Sequence, residues 1–249
     1  MRATITMWKS TRMIVLVAMV AAIYATAQIT LNPVSIVLVP GVLEFKAANV
    51  LTMALGILFG PAGAWGVAIG NTVGDMFTGN LALGSVFGFL SSFSVAYVGY
   101  TFWRRYRPEA GEARSELRKP HALLVYLTIG VISATVAAVV LAWGLNLLGI
   151  APFELVSNTL IANFAVGSAI GVVLYALVHD RLDAMNFTWT EIMEPGDIGR
   201  PINATLGSVL VTIGAFGGWL LGAVLLAGGA ITPVVGICVA CIVVGCLLL

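Results

Sequence analysis

The sequence predicts an all-α membrane protein, a bundle of six transmembrane helices followed by two more. Three observations predict it. The 249 residues are 60% apolar and only 9% charged, whereas a soluble domain is about 25% charged, and the mean hydropathy is +1.04. The apolar residues fall into runs near the roughly 20 residues that a spanning helix needs. When the runs are threaded alternately, all of the 12 basic residues except Lys46 share one side, as they do where short basic loops stay in the cytoplasm.

In chain order the spans are Met13–Thr30, Ala47–Phe59, Ala62–Thr78, Leu81–Trp103, His121–Leu148, Leu155–Val178, Leu206–Gly228 and Ile231–Leu249. The second is short and the third carries polar residues, which suits helices packed inside the protein beside a site rather than against lipid. With a cytoplasmic N-terminus, Arg2, Lys9, Arg12, Arg104, Arg105, Arg107, Arg114, Arg118, Lys119, Arg181 and Arg200 lie inside and Lys46 outside. The first run does not read as a cleaved signal. It is long, and Gln28-Ile-Thr-Leu-Asn-Pro33 has no small-x-small site.

Two polar segments divide the chain. Arg104 to Pro120 separates four spans from the rest, and Asp180 to Thr205 contains the breakers Glu194-Pro-Gly196 and Arg200-Pro201. The division is therefore 1–182, a substrate-binding membrane domain; 183–205, a cytoplasmic linker; and 206–249, a helix pair without a charged residue. Neither polar segment can hold a nucleotide-binding domain, and no glycine-rich phosphate loop leads into a lysine. The chain does not hydrolyse ATP by itself. Cys238, Cys241 and Cys246 share the last span with no His or carboxylate beside them, so they read as packing residues. His121 and His179 flank spans on the inner side. No cofactor, metal or nucleic acid is called for.

Small residues four apart mark close helix contacts: Gly66, Gly70 and Gly74 in the third span, Gly214, Gly218 and Gly222 in the seventh, Ala18 and Ala22 in the first. Asn71 and Asp75 each follow a glycine, about 100° around the helix. That helix can pack on one side and face a cavity on the other. A carboxylate within a span is costly and marks a solute or ion site by default. Glu44, Lys46, Asn49, Asn71, Asp75, Asn80, Asn158 and Asn163 converge on the outer face by topology and form the candidate substrate site. The segment Asn32 to Phe45 reads as a cover over that face. Tyr24, Phe45, Phe87, Trp143, Phe153 and Phe164 offer rings for stacking a flat organic solute, and the absence of His and Cys from the cluster disfavours a transition metal.

Leu16-Val-Ala-Met-Val-Ala-Ala-Ile-Tyr-Ala25, Glu44-Phe-Lys-Ala-Ala-Asn49, Gly56-Ile-Leu-Phe-Gly-Pro61, Gly70-Asn-Thr-Val-Gly-Asp75 and Gly84-Ser-Val-Phe-Gly-Phe89 resemble the substrate-binding S component of energy-coupling factor (ECF) transporters over about the first 180 residues. The resemblance implies a six-helix unit in a prokaryotic cytoplasmic membrane that captures a vitamin or similar micronutrient from outside. It also implies delivery through a transmembrane coupling subunit with two ATPase subunits, docked on Ala18 and Ala22. The spacing is most similar to members for queuosine precursors or of unassigned substrate, and the last two spans depart from the six-helix plan. Two other classes stay open. A self-sufficient secondary transporter needs its own coupling-ion site and usually two related halves, and no repeat is found. A structural assembly protein explains the glycine stripes but not Asp75. An enzyme is not indicated, because Asp75 alone supplies no nucleophile and base.

Overall fold

The computed structural model describes all residues except 40–42, 108–116, 118, 186–187, 200 and 226–230. After a short helix α1, Arg2–Thr6, the chain enters α2, Thr11–Leu31. Ser10 opens α2 by accepting from the Met13 N–H at 3.5 Å, an N-cap contribution of about 1 kcal/mol. Met13, Leu16, Val17, Val20, Tyr24 and Gln28 recur at helical spacing and are buried, while Ala18 and Ala22 face outward.

The segment predicted as a cover is a two-stranded antiparallel hairpin, β1 (Ile36–Val39) and β2 (Leu43–Phe45), with Ile36 opposite Phe45 and Val37 opposite Glu44. It leads through a turn of 3-10 helix, Ala47–Val50, into α3, Thr52–Phe77. The second and third predicted spans thus have no loop between them. Gly60 lies at φ 54, ψ −124, and Pro61 follows, so the helical hydrogen-bond ladder breaks there. The chain doubles back at this point. A Cβ on Gly63 would collide with the Leu55 carbonyl and the Gly56 Cα, although in a straight helix residues 55 and 63 would stand about 12 Å apart.

Beyond α3 come α4 (Ser85–Tyr106), α5 (Pro120–Leu147) and α6 (Phe153–Ala184), the two short linker helices α7 (Trp189–Ile192) and α8 (Pro195–Ile198), then α9 (Ala204–Leu220) and α10 (Ile231–Leu248). Among the described residues seven helices are long and apolar enough to cross a membrane, counting α3 once. Most of the predicted cytoplasmic loop Arg104 to Pro120 lies outside the described residues, as does the end of the predicted seventh span.

Helix α3 is the centre of the bundle and packs on α2, α4 and α6; α4 packs on α5, α5 on α6, and the α9–α10 pair on α5. Both glycine stripes are contact seams. Gly66, Gly70 and Gly74 lie against Val20, Ala21 and Gln28 of α2, and Gly214 and Gly218 lie against Cys238 of α10. One end of the bundle gathers the turn at Gly60, the Arg104 end of α4, α1 and the linker. There the Trp189 ring sits over Gly60, 5.6 Å from Tyr100 and from the Arg104 guanidinium, and Thr6 Oγ1 donates to the Asp197 carbonyl at 2.6 Å.

Candidate functional site

The opposite end holds the site. The reversal at Gly60 returns α3 alongside its own approach segment, so Lys46, ahead of the helix, meets Asn71 and Asp75 near its far end. Lys46 Nζ donates to Asp75 Oδ1 at 2.6 Å and to Asn71 Oδ1 at 3.2 Å. Gln28 Nε2 on α2 donates to the same Asp75 Oδ1 at 2.7 Å, and Asn71 Nδ2 lies 3.4 Å from Oδ2. Asn71 and Asp75 are 5% and 6% exposed. A carboxylate so enclosed needs its partners, since an unpaired buried charge costs several kcal/mol.

A second set fixes the Lys46 backbone. Tyr24 OH lies 2.8 Å from Asn49 Oδ1, and the amides of Asn49 and Asn163 meet at 3.0 Å. With its oxygen and nitrogen assigned from their surroundings, Asn163 accepts from the Lys46 N–H at 2.6 Å and donates to the Lys46 carbonyl at 3.2 Å. The ammonium is therefore held at both its root and its tip. Toward the open side, Asn80 Nδ2 donates to Glu44 Oε1 at 2.9 Å.

These groups border a cavity of about 110 Å³, several times the ~10–15 Å³ that one water needs. Glu44, Lys46, Asn49, Asn71, Asp75 and Asn80, with Ser91 and Ser92 of α4, give it a polar lining. Leu141, Leu145, Leu160 and Phe164 of α5 and α6 line its apolar side. Two carboxylates face one ammonium here. The cavity is suited to a small organic solute that donates hydrogen bonds at one edge and presents an apolar body to the other wall.

Six of the eight residues expected from sequence thus line one cavity. Asn163 lies beneath it, 1% exposed, and acts on Lys46. Asn158 does not belong to it: exposed on the outward side of α6, it accepts from Trp219 Nε1 of α9 at 2.8 Å. Five residues separate Asn158 from Asn163, about 140° around the helix, so the two cannot share a face. Of the six rings expected for stacking, Phe164 alone is among the lining residues; Phe87 packs on Trp143, whose indole donates to the Thr232 carbonyl. Sequence reasoning missed Gln28. Its only signal was an amide on the buried face of an apolar helix. No group of three or more metal-binding side chains occurs among the described residues.

The bundle and its polar-lined cavity define an integral membrane transport protein with a small-molecule substrate. The chain belongs to the QueT transporter family, a family of ECF S components, whose family model matches residues 14–180. The match ends before the α9–α10 pair. No characterised protein and no solved structure matches the chain at a significant level.

Proposed function

We propose that this chain is the substrate-capture subunit of an ECF-type importer. It takes a queuosine-precursor-like heterocycle from outside and delivers it through a transmembrane coupling subunit driven by two ATPase subunits. The observation that carries the reading is the Asp75 carboxylate, held by Lys46 and Gln28 inside the bundle yet lining the cavity. A charged group in that position has no packing role that an apolar residue would not fill at lower cost. Glu44 and Asp75 outnumber Lys46, so the cavity favours a neutral, donor-rich or cationic solute over an anionic one. The N-terminus lies in the cytoplasm, the side to which the basic residues point, and the cavity opens outward. Ala18 and Ala22, on the outer face of α2, offer the coupling subunit a flat seat.

Mass spectrometry of the small molecule that copurifies with the chain tests the substrate directly. A 7-deazaguanine-type base is the expected result, and its displacement by added 7-deazaguanine is the accompanying measurement. A copurified anionic solute would overturn the substrate assignment, and uptake that persists in cells lacking every such ATPase would replace this reading with that of a secondary transporter.

A further inference from the structure

Asp75 receives its donors from two directions. Lys46 and Asn71 line the cavity with it, whereas Gln28 reaches the carboxylate from α2 and is not among the lining residues. Both strong contacts, at 2.6 and 2.7 Å, fall on Oδ1. Among the described residues Oδ2 keeps one long contact, at 3.4 Å, and so retains acceptor capacity for a donor in the cavity.

The Gln28 amide is seated for this contact. It lies over Gly74, where a Cβ would come within 2.5 Å of Gln28 Cδ, so the glycine one residue before Asp75 makes its room. Gln28 is 4% exposed, and its Oε1 has no hydrogen-bond partner among the described residues. An orphaned buried acceptor is unfavourable, and the amide does not escape it by turning over, because that would set Oε1 against the carboxylate. The donor side is held at Asp75 at the expense of the acceptor side. One turn earlier, Tyr24 of the same helix holds Asn49, whose neighbour Asn163 holds the Lys46 backbone.

We propose that Gln28 is a positioning residue of the substrate site: it pins Asp75 Oδ1 from behind, turns Oδ2 to the cavity, and makes α2 part of the site although α2 does not line it. The proposal rests on the reading of the cavity as a solute site. It also gives α2 two working faces, with Gln28 and Tyr24 inward and Ala18 and Ala22 outward.

The test compares Gln28→Met with the wild-type chain, purified in detergent, by two measurements. The first needs no solute. A water-soluble carbodiimide joins Lys46 to Asp75 when ammonium and carboxylate are held in contact, and peptide mass spectrometry counts the cross-link. At least a fivefold loss is expected in Gln28→Met with the thermal midpoint little changed; an unchanged yield overturns the proposal. The second is binding of 7-deazaguanine. It should weaken at least fivefold in Gln28→Met and no further when Gln28→Met is added to Asp75→Asn, since a residue that acts through Asp75 has nothing to position once the charge is gone. Equal losses in both backgrounds overturn the proposal as well. Should the wild-type chain bind no 7-deazaguanine, the substrate assignment fails, and the cross-link alone decides the role of Gln28. If Gln28→Met does not fold, Gln28→Leu takes its place, with the same losses expected and the same outcomes overturning the proposal.

Discussion

At the scale of single residues, the site depends on how a few polar groups are satisfied in an apolar interior. Asp75→Asn keeps the shape of the side chain and removes its charge. Solute binding should weaken by at least about 1.5 kcal/mol, the scale of a charge-assisted hydrogen bond, in a chain that still elutes as a folded monodisperse species; unchanged affinity would make Asp75 a packing residue. Asn49→Ala removes contacts between neutral groups and Asn80→Ala a half-buried contact to Glu44, and both should cost less. A second expectation concerns backbone approach. Gly63→Ala drives a methyl into the Leu55 carbonyl, a backbone atom that cannot step aside, and should lower stability by more than about 2 kcal/mol in thermal unfolding. Gly196→Ala meets nothing within 4 Å and should leave stability unchanged. Asn71 and Asp75 were legible in the sequence because polar residues inside an apolar run stand out. Gln28 was not, since it closes the first span, where polar residues are ordinary, and its partner lies 47 residues away. Asn158 was misplaced because proximity along the chain stood in for helical phase.

At the scale of elements, α2 carries both the proposed positioning residue and the proposed docking face. Ala22 is exposed on its outer face, so Ala22→Trp adds bulk where the isolated bundle meets lipid. Solute binding by the purified chain should survive this change, while uptake in cells that also express the coupling and ATPase subunits should be lost, along with copurification of the coupling subunit. Equal loss of binding and uptake would mean that the tryptophan disturbs the bundle itself, and the docking role of this face would fall. The long helices were readable from apolar length alone. The β1–β2 hairpin was passed over, although Ile36-Val-Leu-Val39 is a β-branched run of strand length, because a membrane composition biases every apolar run toward helix. The reversal at Gly60 had its signal in Gly60-Pro61. What sequence could not convey is that no loop intervenes, which follows from Gly63 letting the two arms touch.

At the scale of the whole molecule, the distribution of charge supports the proposed orientation. Single cysteines at position 46, in the site, and at position 111, outside the described residues, should differ in labelling by an impermeant maleimide on intact cells, with 46 reactive and 111 protected. Equal labelling would overturn the orientation. The α9–α10 pair belongs to the same body as the rest: Trp219 bonds Asn158, Thr232 Oγ1 donates to Asn146 Oδ1 at 3.0 Å, and Arg105 Nη2 donates to Thr205 Oγ1 at 2.9 Å. These ties join it to α4, α5 and α6 at both ends, which the apolar composition of residues 206–249 did not foretell.

The fold-back at Gly60 also decides a question of parity. Seven straight passages would leave the two ends of the chain on opposite faces of the membrane, and the extra reversal inside α3 makes the number even. The packing agrees, for Tyr97 takes a hydrogen bond from the Met1 amine and gives one to the Cys246 carbonyl, both at 2.9 Å. A green fluorescent protein fused after Leu249 should therefore mature and glow, and alkaline phosphatase fused at the same point should stay inactive, because both reporters would sit on the side where the chain starts.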